Sequence, residues 1–184
     1  MFNLEREFSK QNSGIVASKT AKQSVEQRQR DVFESHRHRT FALAFYMTGN
    51  EVEAEEILSN TFVRAFQAAD QPDAFGVDSA LITELAERFS LKHEQPHAVS
   101  SGEMHLGDRN VRRTDLEEAV QELPPFERLL FLLRDVEGYS VESIATLVNI
   151  PQSQVQRTLL SARIRLRQIL AVCASTRAKA PEAA

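Results

Sequence analysis

The stretch that decides the fold is 123-LPPFERLLFLLRDVEGYSVESIATLVNIPQSQVQRTLLSARIRLRQIL-170, from Leu123 to Leu170. After Pro124 and Pro125, the residues Phe126, Leu129, Leu130, Leu133 and Val136 recur at three- and four-residue steps. This is the stripe of an amphipathic helix opened by proline in its first turn. Gly138 closes that helix, Ser140 stands where an N-cap oxygen can take a free backbone N–H, and Ile144, Ala145, Leu147 and Val148 give a short second helix its buried face. Asn149 tolerates the left-handed conformation that ends a helix, Ile150 can plug the corner, and Pro151 presets the next first turn. In the helix that follows, Val155, Leu159, Ala162, Leu166 and Ile169 or Leu170 form one stripe, which frees Gln152, Gln154, Gln156, Arg157, Arg163 and Arg167 to point elsewhere. The punctuation is that of a helix-turn-helix.

The last helix carries one sign of charge. No aspartate or glutamate stands between Pro151 and Pro181, whereas Arg157, Arg163, Arg165, Arg167, Arg177 and Lys179 are all cationic. Phosphates alongside would relieve the self-repulsion, and glutamine or arginine near the helix N-terminus can reach base edges in a major groove. The blander reading is a solvated basic face, favoured at a helix C-terminus by the dipole.

Working outward, 184 residues suit one ordinary domain or two small ones, and the net charge of −4 hides an acidic first half and a basic end. Partners of two different signs are therefore expected. The single cysteine, Cys173, allows no internal disulfide, and no stretch approaches the roughly 18 apolar residues of a membrane span. A cytoplasmic protein without membrane insertion is expected. Tryptophan is absent and glycine and proline fall at segment boundaries, so the fold class is all-α.

Residues 1–30 are polar without a convincing stripe and are expected to form a mobile tail. A helical domain over 31–91 starts with a helix from Val32-Phe33 to Thr48, stopped at Gly49. Asn50 and Glu53 have the spacing of a capping box for the next helix, whose apolar positions run from Ala54 to Ala69. Asp78 or Ser79 is expected to cap a third helix with an exposed face of Glu84, Glu87 and Arg88. Residues 92–113 read as a flexible linker. Thr114 and Glu117 form another capping box, opening a four-helix domain over 114–172 that contains the helix-turn-helix, and 173–184 read as a frayed tail. His36 and His38 point to different helix faces, and His93, His97 and His105 lie in the linker without a matching ligand set, so no metal or other cofactor is expected.

On these residues the chain resembles the bacterial RNA polymerase sigma factors of the extracytoplasmic-function type. The first half carries Thr48-Gly49, Glu53-Ala54-Glu55-Glu56-Ile57-Leu58 and Thr61-Phe62-Val63-Arg64-Ala65-Phe66. The second carries Leu123-Pro124, Arg134-Asp135-Val136-Glu137-Gly138-Tyr139-Ser140, Ile144-Ala145, Ile150-Pro151, Val155 and Ala162-Arg163. The resemblance implies a non-enzymatic factor that directs core RNA polymerase to promoters. It implies core contacts at Glu55, Glu56, Ile57, Leu58, Asn60, Thr61 and Arg64. Promoter DNA would be read or held by Gln152, Ser153, Gln154, Gln156, Arg157 and Thr158, with Arg163 and Arg165 as phosphate partners. An anti-sigma protein is a further implied partner, and no small-molecule substrate is.

Two departures from the family pattern bear on mechanism. Where the family has an aromatic, basic promoter-opening segment, this chain has Leu81 in place of the tryptophan and carboxylates at Glu84 and Glu87, which would repel phosphate. Gln156, Thr158 and Leu160-Ser161 replace common cations, so phosphate contacts should be fewer. A sigma-like adaptor that binds polymerase or an anti-sigma protein without opening promoters is therefore an alternative, and a stand-alone helix-turn-helix regulator is another.

Overall fold

Wherever the apolar stripes recur, helices form. The computed structural model describes the backbone of residues 4–91 and 112–179 and the side chains of 24–91 and 112–173. The helices are α1 (Leu4–Thr48), α2 (Glu51–Ala68), α3 (Ala74–Arg88), α4 (Arg113–Gln121), α5 (Pro125–Phe131), α6 (Val141–Leu147) and α7 (Gln152–Lys179). α5 runs on into a π-helical turn, Leu132–Val136. No strand occurs among the described residues, in keeping with an all-α chain. The expected linker lies outside the described residues except for Arg112 and Arg113, where α4 begins.

Both ends of the described chain depart from expectation. α1 starts at Leu4, so the segment read as a mobile tail is helical, and α7 continues to Lys179 through most of the expected frayed end. An established helix extends at little cost through residues such as Ala, Lys, Arg, Gln and Glu, and it needs no stripe of its own to do so.

The junctions are set by local chemistry. Gly49 takes φ +70°, a conformation that favours glycine, and a Cβ there would also press on the Gln121 side-chain amide oxygen at 3.2 Å. The Asn50 side chain accepts from the backbone N–H groups of Val52 and Glu53, while Thr48 Oγ1 accepts from the Asn50 N–H at 3.2 Å. Thr48 thus takes the place that the box spacing had assigned to Glu53. The third helix begins earlier than expected, capped by Asp73, whose carboxylate accepts from Gly76 N–H at 2.7 Å. Asp78 is buried within it. α4 likewise starts two residues before Thr114's turn, and Asp115 accepts from the Arg112 N–H. α6 is capped by Ser140 as the sequence implies, and it ends with Asn149 at φ 52°. Ile150 N–H then bonds Ala145 O at 3.0 Å and Asn149 N–H bonds Thr146 O at 3.4 Å, the paired bonds of a Schellman end.

The two halves of the chain share a core. One buried cluster joins Leu43, Met47, Ile57, Leu81 and Leu85 of α1–α3 to Leu123, Leu129, Leu133, Ile144, Val155, Ala162 and Leu166 of the second half. A smaller cluster of Val32, Phe62, Ala65, Val77 and Ala80 closes the far end of α1–α3, with Phe33 edge-on to Phe62 at 4.8 Å. Polar groups stitch the same seam. Arg128 donates to Met47 O at the end of α1 (2.6 Å), to the Gln121 side-chain oxygen, to Gln121 O and to Leu123 O (3.0 Å), and Gln121 in turn donates to Tyr46 O at 2.8 Å. These are carbonyls that the ends of α1 and α4 leave without helical partners, and a cation there also suits the dipole. Burial lowers the Arg128 pKa, but a guanidinium stays charged in any protein setting.

A second staple joins α1, α3 and the turn before α6. Asp78 accepts from Arg39 at 2.5 Å and from the Tyr139 hydroxyl, while Arg39 lies 5.7 Å from the Tyr139 ring centre. Burial outweighs both partners and pushes the Asp78 carboxyl above the usual range. Burial and the Asp78 hydrogen bond push the Tyr139 phenol up as well.

Replacing Arg128 by alanine strands several buried carbonyls at once and should cost about 3 kcal/mol in urea unfolding. For Asp78 the folded form keeps a proton that the unfolded chain has already lost. Stability from this group is therefore greatest below about pH 4 and falls as pH rises through the elevated folded value. The unfolding free energy of the native chain, less that of Asp78→Asn, should shrink across that interval; a difference that grows with pH would contradict the assignment.

Candidate nucleic-acid interface and acidic helix face

α7 presents two unlike sides because its stripe is buried against α4, α5 and α6. Val155, Leu159, Ala162 and Leu166 are inside. Gln152, Gln156, Arg163 and Arg167 follow one another at i, i+4, i+11 and i+15, so they line the opposite, solvent-facing side. Leu160, 60% exposed, lies among them, and Ser153 and Arg157 flank the row. This row is the outward surface of the second helix after the Asn149 corner. Its geometry suits side chains reaching into a groove while α6 lies across it.

Of the eight residues expected to read or hold DNA, five belong to this outer surface: Gln152, Ser153, Gln156, Arg157 and Arg163. Three do not. Thr158 is buried at 3% exposure, because it stands three residues after Val155 and four before Ala162 and so falls on the apolar side. Gln154 is half-buried on the same inner flank. Arg165 points inward, with Nε 3.1 Å from a Glu127 carboxylate whose other oxygen accepts from Ser161 at 2.9 Å. It serves as an internal counterion rather than a free phosphate partner. Leu160 and Arg167 were absent from the expected set, yet their spacing from Gln156 places them on the row.

Arg163 is on the row but not free. Its guanidinium is held side-on by Asp135 at 2.7 and 3.2 Å, and that hydrogen bond raises its pKa. Asp135 comes from the π-helical turn, which Arg134 braces by donating to Tyr139 O at 2.7 Å.

The acidic face of α2 is also narrower than expected. Glu55 and Asn60 are exposed and Leu58 is half-buried, but Ile57 and Thr61 have no exposure, since both stand on the stripe that packs α2 against α1 and α3. Ile57 and Thr61 thus sit in the core of the free chain. Arg64 bonds Glu84 at 2.8 Å and Glu87 at 2.8 Å, and the Glu84 hydrogen bond is the main cause of its raised pKa. Glu56 pairs with Arg88 at 2.9 Å. Glu84, expected on an exposed face, is 6% exposed. Its charge answers α2 rather than solvent, and the pairs clamp α2 to α3. The buried side of α3, with Asp78, Leu81 and Leu85, faces the shared core and Tyr139.

No group of histidine, cysteine and carboxylate residues suited to a metal ion occurs among the described residues. None of their helices is long and apolar enough to cross a membrane. Cys173 is half-buried near the end of the packed part of α7.

Residues 113–166 match the family model for sigma-70, region 4. The chain is 25% identical over 156 residues to the ECF RNA polymerase sigma factor SigE of Mycolicibacterium smegmatis, covering 77% of this chain and 61% of that protein. It is 26% identical over 155 residues to the RNA polymerase sigma-H factor of Pseudomonas aeruginosa, covering 70% of this chain and 78% of the relative. Among solved structures it is similar in fold to the sigma factor RpoE of Bartonella quintana, crystallised in complex with the anti-sigma factor NepR. There the TM-score is 0.54 at 18% identity, covering 84% of this chain and 98% of that one. The region 4 match spans α4 to α7, the elements that build the outward row, and the curated relatives, all sigma factors, extend the likeness over most of the chain.

Proposed function

We propose that this protein is a sigma factor that joins core RNA polymerase through the exposed acidic edge of α2 and holds promoter DNA with the outer row of α7. The observation that carries the reading is that row. It pairs donors and cations on a helix that follows a Schellman corner, inside the segment matching sigma-70 region 4. Gln152, Gln156 and Arg157 lie toward the N-terminal end of α7, where side chains reach base edges, and Arg167 lies farther along, where it would meet phosphate. The family is one of non-catalytic regulatory proteins, and no reaction is assigned to the chain. On α2, Glu55 and Asn60 are the residues that a partner could touch without disturbing the core, with Glu56 shared with Arg88. An anti-sigma protein competing for these surfaces is part of the same reading, supported by the fold likeness to a sigma factor solved with one.

A second reading, a sigma-like adaptor that binds polymerase without opening promoters, is favoured by α3. Its inner side is packed against the second half through Asp78 and Tyr139, and Glu84 and Glu87 are committed to Arg64. Run-off transcription with purified core polymerase on the protein's own genomic promoters separates the two readings. Specific new transcripts establish the sigma factor, core binding without transcripts establishes the adaptor, and no core binding removes both.

Gln156→Ala with Arg157→Ala should lower promoter-selective binding by about tenfold or more while leaving unfolding stability within about 0.5 kcal/mol, because both side chains are exposed. Glu55→Lys with Asn60→Ala should reduce core binding in the same assay and leave duplex binding unchanged. The reverse pattern would exchange the roles of the two surfaces.

A further inference from the structure

We propose that Asp135 is a built-in counterion that competes with DNA phosphate for Arg163 and so holds down the protein's own affinity for DNA. The inference rests on the reading of the α7 row as a DNA surface and says how that surface is regulated.

The starting point is position. Arg163 stands seven residues after Gln156 and four before Arg167, in the middle of the outer row, where a phosphate would otherwise be its natural partner. Its guanidinium instead makes two parallel bonds to the Asp135 carboxylate, the fork geometry in which arginine binds carboxylate and phosphate alike. The two anions therefore want the same edge of the same group, and they cannot both have it. Asp135 would also face incoming phosphate with a charge of the same sign.

The contrast with the other ion pair on α7 shows why this one can be exchanged. Glu127 is 11% exposed at its side chain, is further bonded by Ser161, and meets Arg165 on the inner flank of the helix. Removing that pair would disturb the core. The Asp135–Arg163 pair is open to water, at 29% and 46% side-chain exposure. Pairs so exposed contribute little to stability, so their exchange for a phosphate is cheap. The device leaves Arg157 and Arg167 as the cations of this surface without a carboxylate partner among the described residues, and DNA binding would then depend on tethering to another DNA-bound body.

The test is fluorescence anisotropy of a short labelled duplex of random sequence, titrated with the full chain over a range of salt concentrations. Asp135→Asn frees Arg163 and should tighten binding about five- to tenfold near 0.1 M salt. It should also steepen the plot of log affinity against log salt by about 0.9, the release of one further counterion. Arg163→Gln in the otherwise native chain should leave that slope unchanged, and Asp135→Asn with Arg163→Gln should return both affinity and slope to native values. A merely structural pair would move the melting temperature and not the slope. If the native chain binds duplex and Asp135→Asn leaves affinity and slope alone, the proposal is overturned. The same holds if Arg163→Gln alone flattens the slope by about one unit, because Arg163 would then already be on phosphate. That second arm stands even if Asp135→Asn folds poorly. Absence of duplex binding by the native chain and every variant, with helical content intact by circular dichroism, would instead remove the DNA-binding reading itself.

Discussion

The end of α1 cannot finish itself. Its last carbonyls point out of the helix, and they are answered from the other half of the chain, by Arg128 on Met47 O and by Gln121 on Tyr46 O. The sharp turn at Gly49 brings this end hard against Gln121, so α2 leaves in a direction fixed by the same contact. The shared core then closes around it, with Met47, Leu123 and Leu129 all but inaccessible to water. A charged group placed among so many carbonyls is a directional device. It fixes where the two halves meet, whereas the apolar cluster alone would accept neighbouring arrangements.

Joining the halves in this way does not cover the two proposed contact surfaces and α3 equally. The exposed edge of α2 and the outer row of α7 remain open to solvent, whereas the inner side of α3 is taken up by the core and by the Asp78–Tyr139–Arg39 staple. The carboxylates Glu84 and Glu87, which seemed hostile to nucleic acid when read along the chain, are spent on Arg64 in this conformation. Their meaning is structural first: they rivet α3 to α2.

Some turns and caps were legible in the residues because their causes are local, although the caps of α3 and α4 fell at Asp73 and Arg112 rather than at Asp78 or Ser79 and at Thr114. Gly49, Ser140 and the Asn149–Pro151 corner each act through their own φ angle or a side chain a few residues away. Faces were legible only in part. Thr61 and Thr158 are small and polar, and either side of a helix can hold them. The stripe position that buried them was visible, and the resemblance pulled the other way. Glu84, Asp135 and Arg128 were misjudged or passed over for a different reason: periodicity says which side of a helix a residue is on, but not which charge from another helix will be waiting there. Long-range ion pairs such as Arg64–Glu84 and Arg163–Asp135 have no signature along the chain. The extent of α1 and α7 was missed because propagation of an existing helix requires no hydrophobic pattern.

The π-helical turn at the end of α5 gives the second half a phase. Glu137 N–H reaches back five residues to Leu132 O, so this turn holds one residue more than an α-helical one would. Without that extra residue, everything after it would be rotated by about 100° about the helix axis. The carboxylate now beside α7 would then face another direction, and the tyrosine ring would no longer meet α3. One inserted residue thus sets both the charge seen by the last helix and the contact that spans the halves, so this turn can be neither lengthened nor shortened without changing two distant surfaces together.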